Sequence, residues 1–409
     1  MTDRYSSQPN SCYAVYAKRT PFGKILGQLK NIRPDDLLSF LLDDFKNQFI
    51  PSQDGFKLHH LDDFIVGCAN QAGEDNRNIA RMSLLLSEFP TEVPGTTINR
   101  LCGSSLDAAQ MAYALISSGM KDAVLVGGVE SMSRAPYVLS KAETAFDRQQ
   151  KCYDSTFGWR FINPKMSKVK PPLSMGETAE EVAARFKISR VEQDHYALRS
   201  HQLCAKFKSM RIKEICPIKL EINREEFLMD DDECIRADSQ IEKLQKLKPV
   251  FNPQGTVTAG NSSPMNDGAA LLLFVSGEYL KKFHLTPMFK VEDAAVVGLD
   301  PDIMGMGPVG AIKKILHRQN KKISDYDSFE INEAFAAQVL AVQKELNIPS
   351  EKLNPQGGAL AIGHPLGASG ARLLVTLAHQ MQNRPEMQAA IASMCIGVGQ
   401  GIALSITRK

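Results

Sequence analysis

Short apolar runs of strand length, alternating with segments of helical periodicity, constrain the fold of this chain more than any other feature. Phe64-Ile65-Val66-Gly67 and Ala123-Val124-Leu125-Val126-Gly127-Gly128 are too short for buried helices and are closed by glycine, which predicts strands. Between them Leu106, Ala109, Met111, Ala112, Leu115 and Ile116 recur at helical spacing. Such strands have no polar face to give to water, so a buried, largely parallel sheet covered by helices is predicted: the α/β class. The alternation stops near Met132. There the chain becomes more charged, holds its single tryptophan, Trp159, and carries polar helical patterns over 179–205. It resumes with Ala294-Ala295-Val296-Val297, a helical run over 311–316 and Phe329-Glu330-Ile331. A helix from Glu333 and two apolar runs flanking Cys395 follow. The predicted organisation is two α/β halves, 1–131 and 286–409, around a lid-like insertion, 132–262, with no sequence repeat relating the halves.

With 409 residues, 43% hydrophobic and 23% charged, the chain can bury a large core. Lys+Arg 48 against Asp+Glu 46 leaves +2, too weak a field to draw nucleic acid or a membrane surface. No apolar run approaches the length of a bilayer span. The opening residues 1–7 lack the apolar core of a secretory signal, and Thr407-Arg408-Lys409 matches no simple address tag, so a cytoplasmic location is expected. Eight cysteines without Cys-x-x-Cys spacing predict neither a zinc cage nor a disulfide framework, and no metal is expected. Cys12, Cys68, Cys152, Cys204, Cys216 and Cys234 read as structural, whereas Cys102 and Cys395 stand in unusual surroundings.

Asn99-Arg100-Leu101-Cys102-Gly103-Ser104-Ser105 sets a thiol just before a predicted helix. If Gly103-Ser104-Ser105 opens that helix, its free N–H groups lower the Cys102 pKa and prepare a nucleophile for an acyl-enzyme. A small buried core residue is the plain alternative. Gly363-His364-Pro365-Leu366-Gly367 holds an imidazole on a tight loop before an apolar helix over 371–378. His364 there is either a base or carbonyl polariser, or a turn histidine bonded to backbone. Cys395 ends a strand-like run, and Gly397, Gly399 and Gly401 allow backbone N–H groups to approach a substrate, as an oxyanion hole requires. A glycine-rich turn beside a core thiol explains the same pattern. Asn332 either caps the helix that follows it or holds a water or a carbonyl oxygen. The small, polar segment 255–263 suits an amide-bearing ligand or an ordinary loop.

Two patterns are decoys. Gly305-Met306-Gly307-Pro308-Val309-Gly310 matches G-x-G-x-x-G, but Asp300-Pro301-Asp302 separates it from strand 294–297, and Pro308 suits a first helical turn. A nicotinamide site is therefore rejected. Asp230-Asp231-Asp232-Glu233 reads as a solvated turn, not a cation site.

Together these segments resemble the thiolases, acetyl-CoA acyltransferases that cleave or form 3-oxoacyl-CoA. The resemblance begins at Arg19-Thr20-Pro21-Phe22-Gly23 and runs through the Cys102 segment, Gly127-Gly128-Val129-Glu130-Ser131-Met132-Ser133, Ser174-Met175-Gly176-Glu177-Thr178-Ala179-Glu180 and residues 256–268. It takes in the Gly305 segment and closes with the Asn332, His364 and Cys395 segments. Residues 67–78 and Gly158-Trp159-Arg160-Phe161-Ile162-Asn163-Pro164 are similar to degradative members, the 3-oxoadipyl-CoA and fatty-acid β-oxidation types. Cys102 is followed by Gly-Ser-Ser where the adipyl type usually has Ala-Ser-Gly. Ser174 stands where biosynthetic acetoacetyl-CoA thiolases have histidine.

The resemblance implies two similar halves of five-stranded mixed sheets in αβαβα layers, the N-terminal half completed by about 263–285. It implies that Cys102 carries the acyl group, that His364 assists its deprotonation, and that Cys395 moves the Cα proton. One oxyanion site would use His364 and a water on Asn332; the other would use the N–H groups of Cys102 and Gly397. Coenzyme A is implied as cosubstrate, with nothing bound covalently, along Ser263, Met175 and Arg236. A homodimer or homotetramer is implied, with association to a β-oxidation multienzyme subunit left open. Alternatives are a biosynthetic acetoacetyl-CoA thiolase, a decarboxylating β-ketoacyl synthase, which usually has a second histidine in place of Cys395, and a non-catalytic acyl-CoA or lipid carrier of the same fold.

Overall fold

The computed structural model describes residues 10–222 and 224–408. The opening run 1–7 and the final Lys409, to which the address expectations belong, lie outside the described residues. Strands β1 (Cys12–Arg19), β2 (Asp63–Gly67), β3 (Gly95–Ile98), β4 (Ala123–Ser131) and β5 (Asn266–Ser276) make the N-terminal half, in spatial order β3-β2-β4-β5-β1. Strands β6 (Phe289–Gly298), β7 (Ser328–Ile331), β8 (Ala389–Ile396) and β9 (Gln400–Thr407) make the other, in order β7-β8-β9-β6. An isolated parallel bridge from Phe329 to Leu353 extends it by one more position. β1 and β6 pair antiparallel with Cys12 opposite Val291, so the two halves join edge to edge.

The sheet is mixed. β2 runs parallel to β3 and β4, and β7 to β8, while β5, β1, β6 and β9 pair antiparallel to their neighbours. This corrects the largely parallel sheet expected from the apolar runs. Burial on both faces makes a strand apolar whatever its direction, and the antiparallel β5 is buried along its whole length, like β4.

Helices α1 (Ser104–Ser117), α2 (Met175–Phe186), α3 (Arg190–Lys206), α4 (Gly307–Gln319), α5 (Ala336–Leu346) and α6 (Leu366–Asn383) position the site. α1 and α6 occupy equivalent places in β2-α1-β4 and β7-α6-β8 and lie against each other. Their apolar residues share one cluster with Val124, Val126, Ala392 and Met394, so both helices form a central layer between the halves. Outside β4, Ala123, Leu125 and Val129 face the other way into a cluster with Leu37, Leu41 and Leu84. Outside β7 and β8, Phe329 and Ile391 join Ile312, Val339 and Val342 of α4 and α5. Helix, sheet, helix, sheet, helix is the resulting order. The first turn of α6 presses on β4 backbone to backbone: a Cβ on Gly128 would stand 2.3 Å from the Gly367 carbonyl oxygen. Only glycine permits that approach.

Both decoys resolve structurally. Gly307 opens α4 against the β8–β9 hairpin, where a Cβ would lie 2.3 Å from the Gln400 carbonyl oxygen. The acidic run is no solvated turn. Asp232 is buried, takes the Arg19 guanidinium at 2.7 and 2.9 Å, and also takes Arg211 at 2.8 Å. A buried guanidinium at the end of β1 requires a paired carboxylate, which the sequence pattern could not reveal.

Candidate active site

Cys102 sits immediately before Gly103, the residue that caps α1. The turn is locked from within: the Arg100 N–H donates to Ser104 Oγ at 2.9 Å, and that hydroxyl donates to the Leu101 carbonyl at 2.6 Å. Arg100 also pairs with Asp107 at 2.9 Å and reaches Gln400 Oε1 at 3.1 Å. Leu101 is held at φ +48°, a strained position for a branched residue, and this conformation sets the direction of the next side chain.

The helix position is as expected, but the electrostatic expectation is corrected. Burial pushes the Cys102 thiol up to about 11, although the nearby backbone N–H groups of Gly397 and of Cys102 itself oppose the rise. Desolvation of a thiolate outweighs the favourable helix terminus. Both of those N–H groups lie near the Cys102 sulfur.

His364 follows Gly363, whose φ of +116° only glycine adopts easily and whose Cβ would strike the Asn266 side chain at 2.3 Å. The His364 N–H donates to Asn266 Oδ1 at 3.0 Å, and Asn266 Nδ2 donates to the Gly23 carbonyl at 2.8 Å. The ring is buried, and that burial lowers its pKa to about 3, with Arg372 contributing. Its Nδ1 lies 2.6 Å from Ser369 Oγ, which in turn lies 2.9 Å from the Pro365 carbonyl oxygen. A carbonyl only accepts. With the single hydroxyl proton directed there, Nδ1–H donates to Ser369 and Nε2 is left as a base.

Asn332 is fully buried and does not cap a helix, because α5 begins at Ala336 after Phe335. Its Oδ1 accepts from Arg372 Nη2 at 3.3 Å, and its Nδ2 stands 3.4 Å from both imidazole nitrogens. Since a guanidinium only donates, this contact turns the amide N–H₂ toward His364. Glu333 beside it ties the scaffold: its carboxylate accepts from Tyr196, Ser200, Asn354 and the Leu360 N–H.

Cys395 is buried near the end of β8, opposite Gly401. Burial pushes its thiol well above the ordinary range, and the neighbouring Cys102 adds to the rise. Cys102 and Cys395 are therefore protonated thiols and His364 is a neutral imidazole. Such a set can pass protons without carrying a standing charge.

A cavity of about 320 Å³ opens onto the nucleophile, lined among others by Cys102, Leu101, Met175, Gly397, Trp159 and Arg160. Met175 stands in the first turn of α2, fixed by reciprocal bonds between Ser174 and Glu177. A Cβ on Gly397 would lie 3.4 Å from its sulfur. Ser263 and Arg236 do not line this cavity. Ser263 donates its N–H to the Ala334 carbonyl at 3.0 Å, and the exposed Arg236 donates its N–H to His201 Nδ1 at 3.2 Å.

Four supporting residues escaped the sequence reading: Asn266, Ser369, Arg372 and Glu130. Ser369 was within reach, one helical turn beyond the His364 loop. Glu130 was not. Its buried carboxyl accepts from the N–H groups of Ala69, Asn70 and Gly367 at 3.0, 3.2 and 2.8 Å, fastening the His364 loop to the end of β2. Burial pushes it up to about 7. Cys68 and Asp75 lie close by, their atoms engaged with each other at 3.8 Å and with the Gly73 N–H at 2.9 Å.

Comparison with known proteins adds independent findings. Residues 12–278 match the family "Thiolase, N-terminal domain" and residues 285–408 match "Thiolase, C-terminal domain". The chain is 48% identical over 400 residues to the β-ketoadipyl-CoA thiolase of Pseudomonas knackmussii, covering 97% of this chain and 98% of that protein. It is 47% identical over 396 residues to the 3-oxoadipyl-CoA/3-oxo-5,6-dehydrosuberyl-CoA thiolase of Escherichia coli, covering 95% and 97%. Its fold is similar to that of human mitochondrial 3-ketoacyl-CoA thiolase, with TM-score 0.89, 38% identity and coverage of 98% and 99%. The same human enzyme in complex with CoA gives TM-score 0.87 and 37% identity over 98% of both chains.

Proposed function

The chain belongs to the thiolase family, and from that premise we propose how its own residues carry the reaction and which substrate it takes. The protein is an acyltransferase that cleaves 3-oxoacyl-CoA with CoA to give acetyl-CoA and a shortened acyl-CoA. His364 Nε2 takes the Cys102 proton, and the sulfur attacks the 3-oxo carbon. The C2–C3 bond breaks, its electron pair passes to the acetyl-CoA enolate, and Cys395 gives that enolate its proton. CoA then enters, loses its thiol proton to Cys395, and attacks the acyl-Cys102 thioester. Cys102 leaves as thiolate and recovers its proton from His364.

Two observations support this reading: Cys102 and Cys395 are close enough for one thiol to raise the other's pKa, and the Asn332 amide nitrogen lies 3.4 Å from both imidazole nitrogens of His364. The N–H groups of Gly397 and Cys102 serve the tetrahedral oxyanion, and His364 with a water on Asn332 serves the enolate. Neutral groups suit this work, because each proton is needed on a different atom at a different step.

CoA is the cosubstrate, reaching the cavity past Met175, with Ser263 and Arg236 assigned to its pantetheine arm and adenine. Residues 132–262 form the roof over it, between an N-terminal half of 1–131 completed by 263–285 and a C-terminal half of 286–409. For the acyl group, the relatives' names support 3-oxoadipyl-CoA. A dimer or dimer of dimers is supported by β3, whose outer edge has no strand partner among the described residues, and by exposed Met82, Leu85 and Leu86. No described helix is long and apolar enough to cross a membrane; the cytoplasm remains the proposed compartment.

The test is thiolysis by purified protein of acetoacetyl-, 3-oxoadipyl-, 3-oxooctanoyl- and 3-oxohexadecanoyl-CoA, following acetyl-CoA formation. A clear preference for 3-oxoadipyl-CoA is expected; preference for any other member overturns the substrate assignment. Cys102→Ala should abolish turnover and retain CoA binding, and full activity in that variant would sink the mechanism.

A further inference from the structure

The cavity beside Cys102 is walled by apolar and uncharged polar residues and by Glu130, and it contains a cation that makes no ion pair among the described residues. Arg160 lines it together with Trp159, Phe157 and Met175. Its guanidinium is fastened at two points by neutral acceptors: Nη1 donates to the Ser155 carbonyl at 3.2 Å and Nη2 to Asn70 Oδ1 at 3.2 Å. Asn70 is itself held, its Nδ2 donating to Ser155 Oγ at 3.3 Å. Trp159, the residue before it, is held by donating its indole N–H to the Leu173 carbonyl at 2.9 Å. A guanidinium carries five N–H groups, so donors remain after both contacts.

Among the described residues no carboxylate lies within ion-pair distance of Arg160. One carboxyl does line the cavity, that of Glu130, but three backbone N–H groups already occupy it. An oriented, half-buried arginine without a carboxylate partner, lining this cavity, has a fork that matches a carboxylate. Placing it in an acyl pocket is costly for a neutral alkyl chain and favourable for a chain ending in an anion.

We propose that Arg160 is the specificity-determining residue of this thiolase and recognises a carboxylate at the far end of the acyl group, so that the enzyme selects 3-oxoacyl-CoA thioesters of dicarboxylic acids. This rests on the 3-oxoadipyl-CoA assignment of the preceding section and takes the cavity beside Cys102 as the seat of the acyl chain. It extends that reading by naming the recognising group and predicting a class: any ω-carboxylate that reaches Arg160 is accepted, and its neutral counterpart is not.

The experiment compares kcat/KM for 3-oxoadipyl-CoA and 3-oxohexanoyl-CoA, which have equal chain length and differ in a terminal carboxylate or methyl, in the wild type, Arg160→Gln and Asn70→Ala. The wild type should prefer the carboxylate by about 100-fold, less than the roughly 10⁴–10⁵-fold of a fully buried polar site because Arg160 is only half-buried. Arg160→Gln should lose most of that preference, through the 3-oxoadipyl value alone, with the KM for CoA unchanged. Asn70→Ala removes one tether but keeps the cation, so the ratio should survive whatever happens to the overall rate.

Equal losses on both substrates in Arg160→Gln, or a raised KM for CoA, would assign Arg160 to coenzyme phosphate or to the loop and overturn the proposal. A retained preference in Arg160→Gln would overturn it too, while leaving the 3-oxoadipyl-CoA assignment standing. A wild type that prefers 3-oxohexanoyl-CoA sinks that assignment together with the proposal.

Discussion

Replacing Ser369 by alanine tests the proton assignment at the centre of the mechanism. The hydroxyl is buried in the first turn of α6 and makes two side-chain contacts, 2.6 Å to His364 Nδ1 and 2.9 Å to the Pro365 carbonyl oxygen. The Pro365 carbonyl keeps the N–H groups of Ala368 and Ser369, each at 3.0 Å, so the helix start survives. Global stability should fall by about 1 kcal/mol, a shift of about 2 °C in a chain of this size. The larger effect is on the ring. Without Ser369, Nδ1–H loses its acceptor in a buried site, which costs about 1–3 kcal/mol. The Asn332 N–H₂, 3.4 Å from both ring nitrogens, suits a lone pair on either, so the tautomer with the proton on Nε2 becomes populated. That tautomer cannot accept the Cys102 proton. Since groups that orient an imidazole are worth about 10- to 100-fold, kcat should fall by that factor, or about 1.4–2.8 kcal/mol in activation free energy. Thiolysis assays on Ser369→Ala and Ser369→Thr, with CoA KM and melting temperature measured in parallel, separate the causes. Threonine keeps the hydroxyl and should recover most of the rate. If the folded alanine variant stays within twofold of wild type, Ser369 does not set the tautomer. If threonine loses as much as alanine, packing is the cause.

Three further outcomes follow from the site and its surroundings. Iodoacetamide should alkylate Cys102 slowly at neutral pH: a rise from the ordinary 9.0 to about 11 lowers the thiolate fraction about 100-fold, so the rate should keep climbing above pH 9, and a plateau below pH 8 refutes this. Glu130 and Glu330 are both raised by burial, to about 7 and about 8, so between the unfolded carboxyl value near 4.5 and those values the folded state holds more protons than the unfolded one. Their stabilising contribution is complete below about 4.5 and is lost as pH rises through 7 to 8; melting temperature should decline across that window, and Glu130→Gln should flatten part of the slope in a melting series. Val398 sits at φ +65° and is 40% exposed, so Val398→Gly relieves about 1–3 kcal/mol of strain against about 0.5–1 kcal/mol of added chain entropy. A melting temperature that rises by about 1–2 °C supports this balance, and a fall rejects it.

Much of the site was legible because its chemistry is written in local turns. A cysteine before a helix, a histidine between glycine and proline, and a cysteine before alternating glycines each specify a reactive atom and the backbone that exposes it. The strand–helix alternation likewise follows from residue type and short-range periodicity, and it placed β2, α1, β4, β7 and β8 within a few residues of their observed bounds. The sequence alone thus determined the class of fold, and it supplied the candidate reactive groups and their order along the chain. Tertiary structure decided the protonation of those groups, because a pKa depends on solvent exclusion and on neighbours that are remote in sequence. The helix terminus at Cys102 was read correctly, yet burial reversed the direction of its shift. The same reason hid Asn266 behind His364, Glu130 behind Gly367, and Asp232 behind Arg19. Strand direction was also decided there, since an apolar strand records only that both of its faces are dry. Local sequence encodes chemical identity and turn geometry, whereas dielectric environment and through-space distance exist only once segments hundreds of residues apart have packed together.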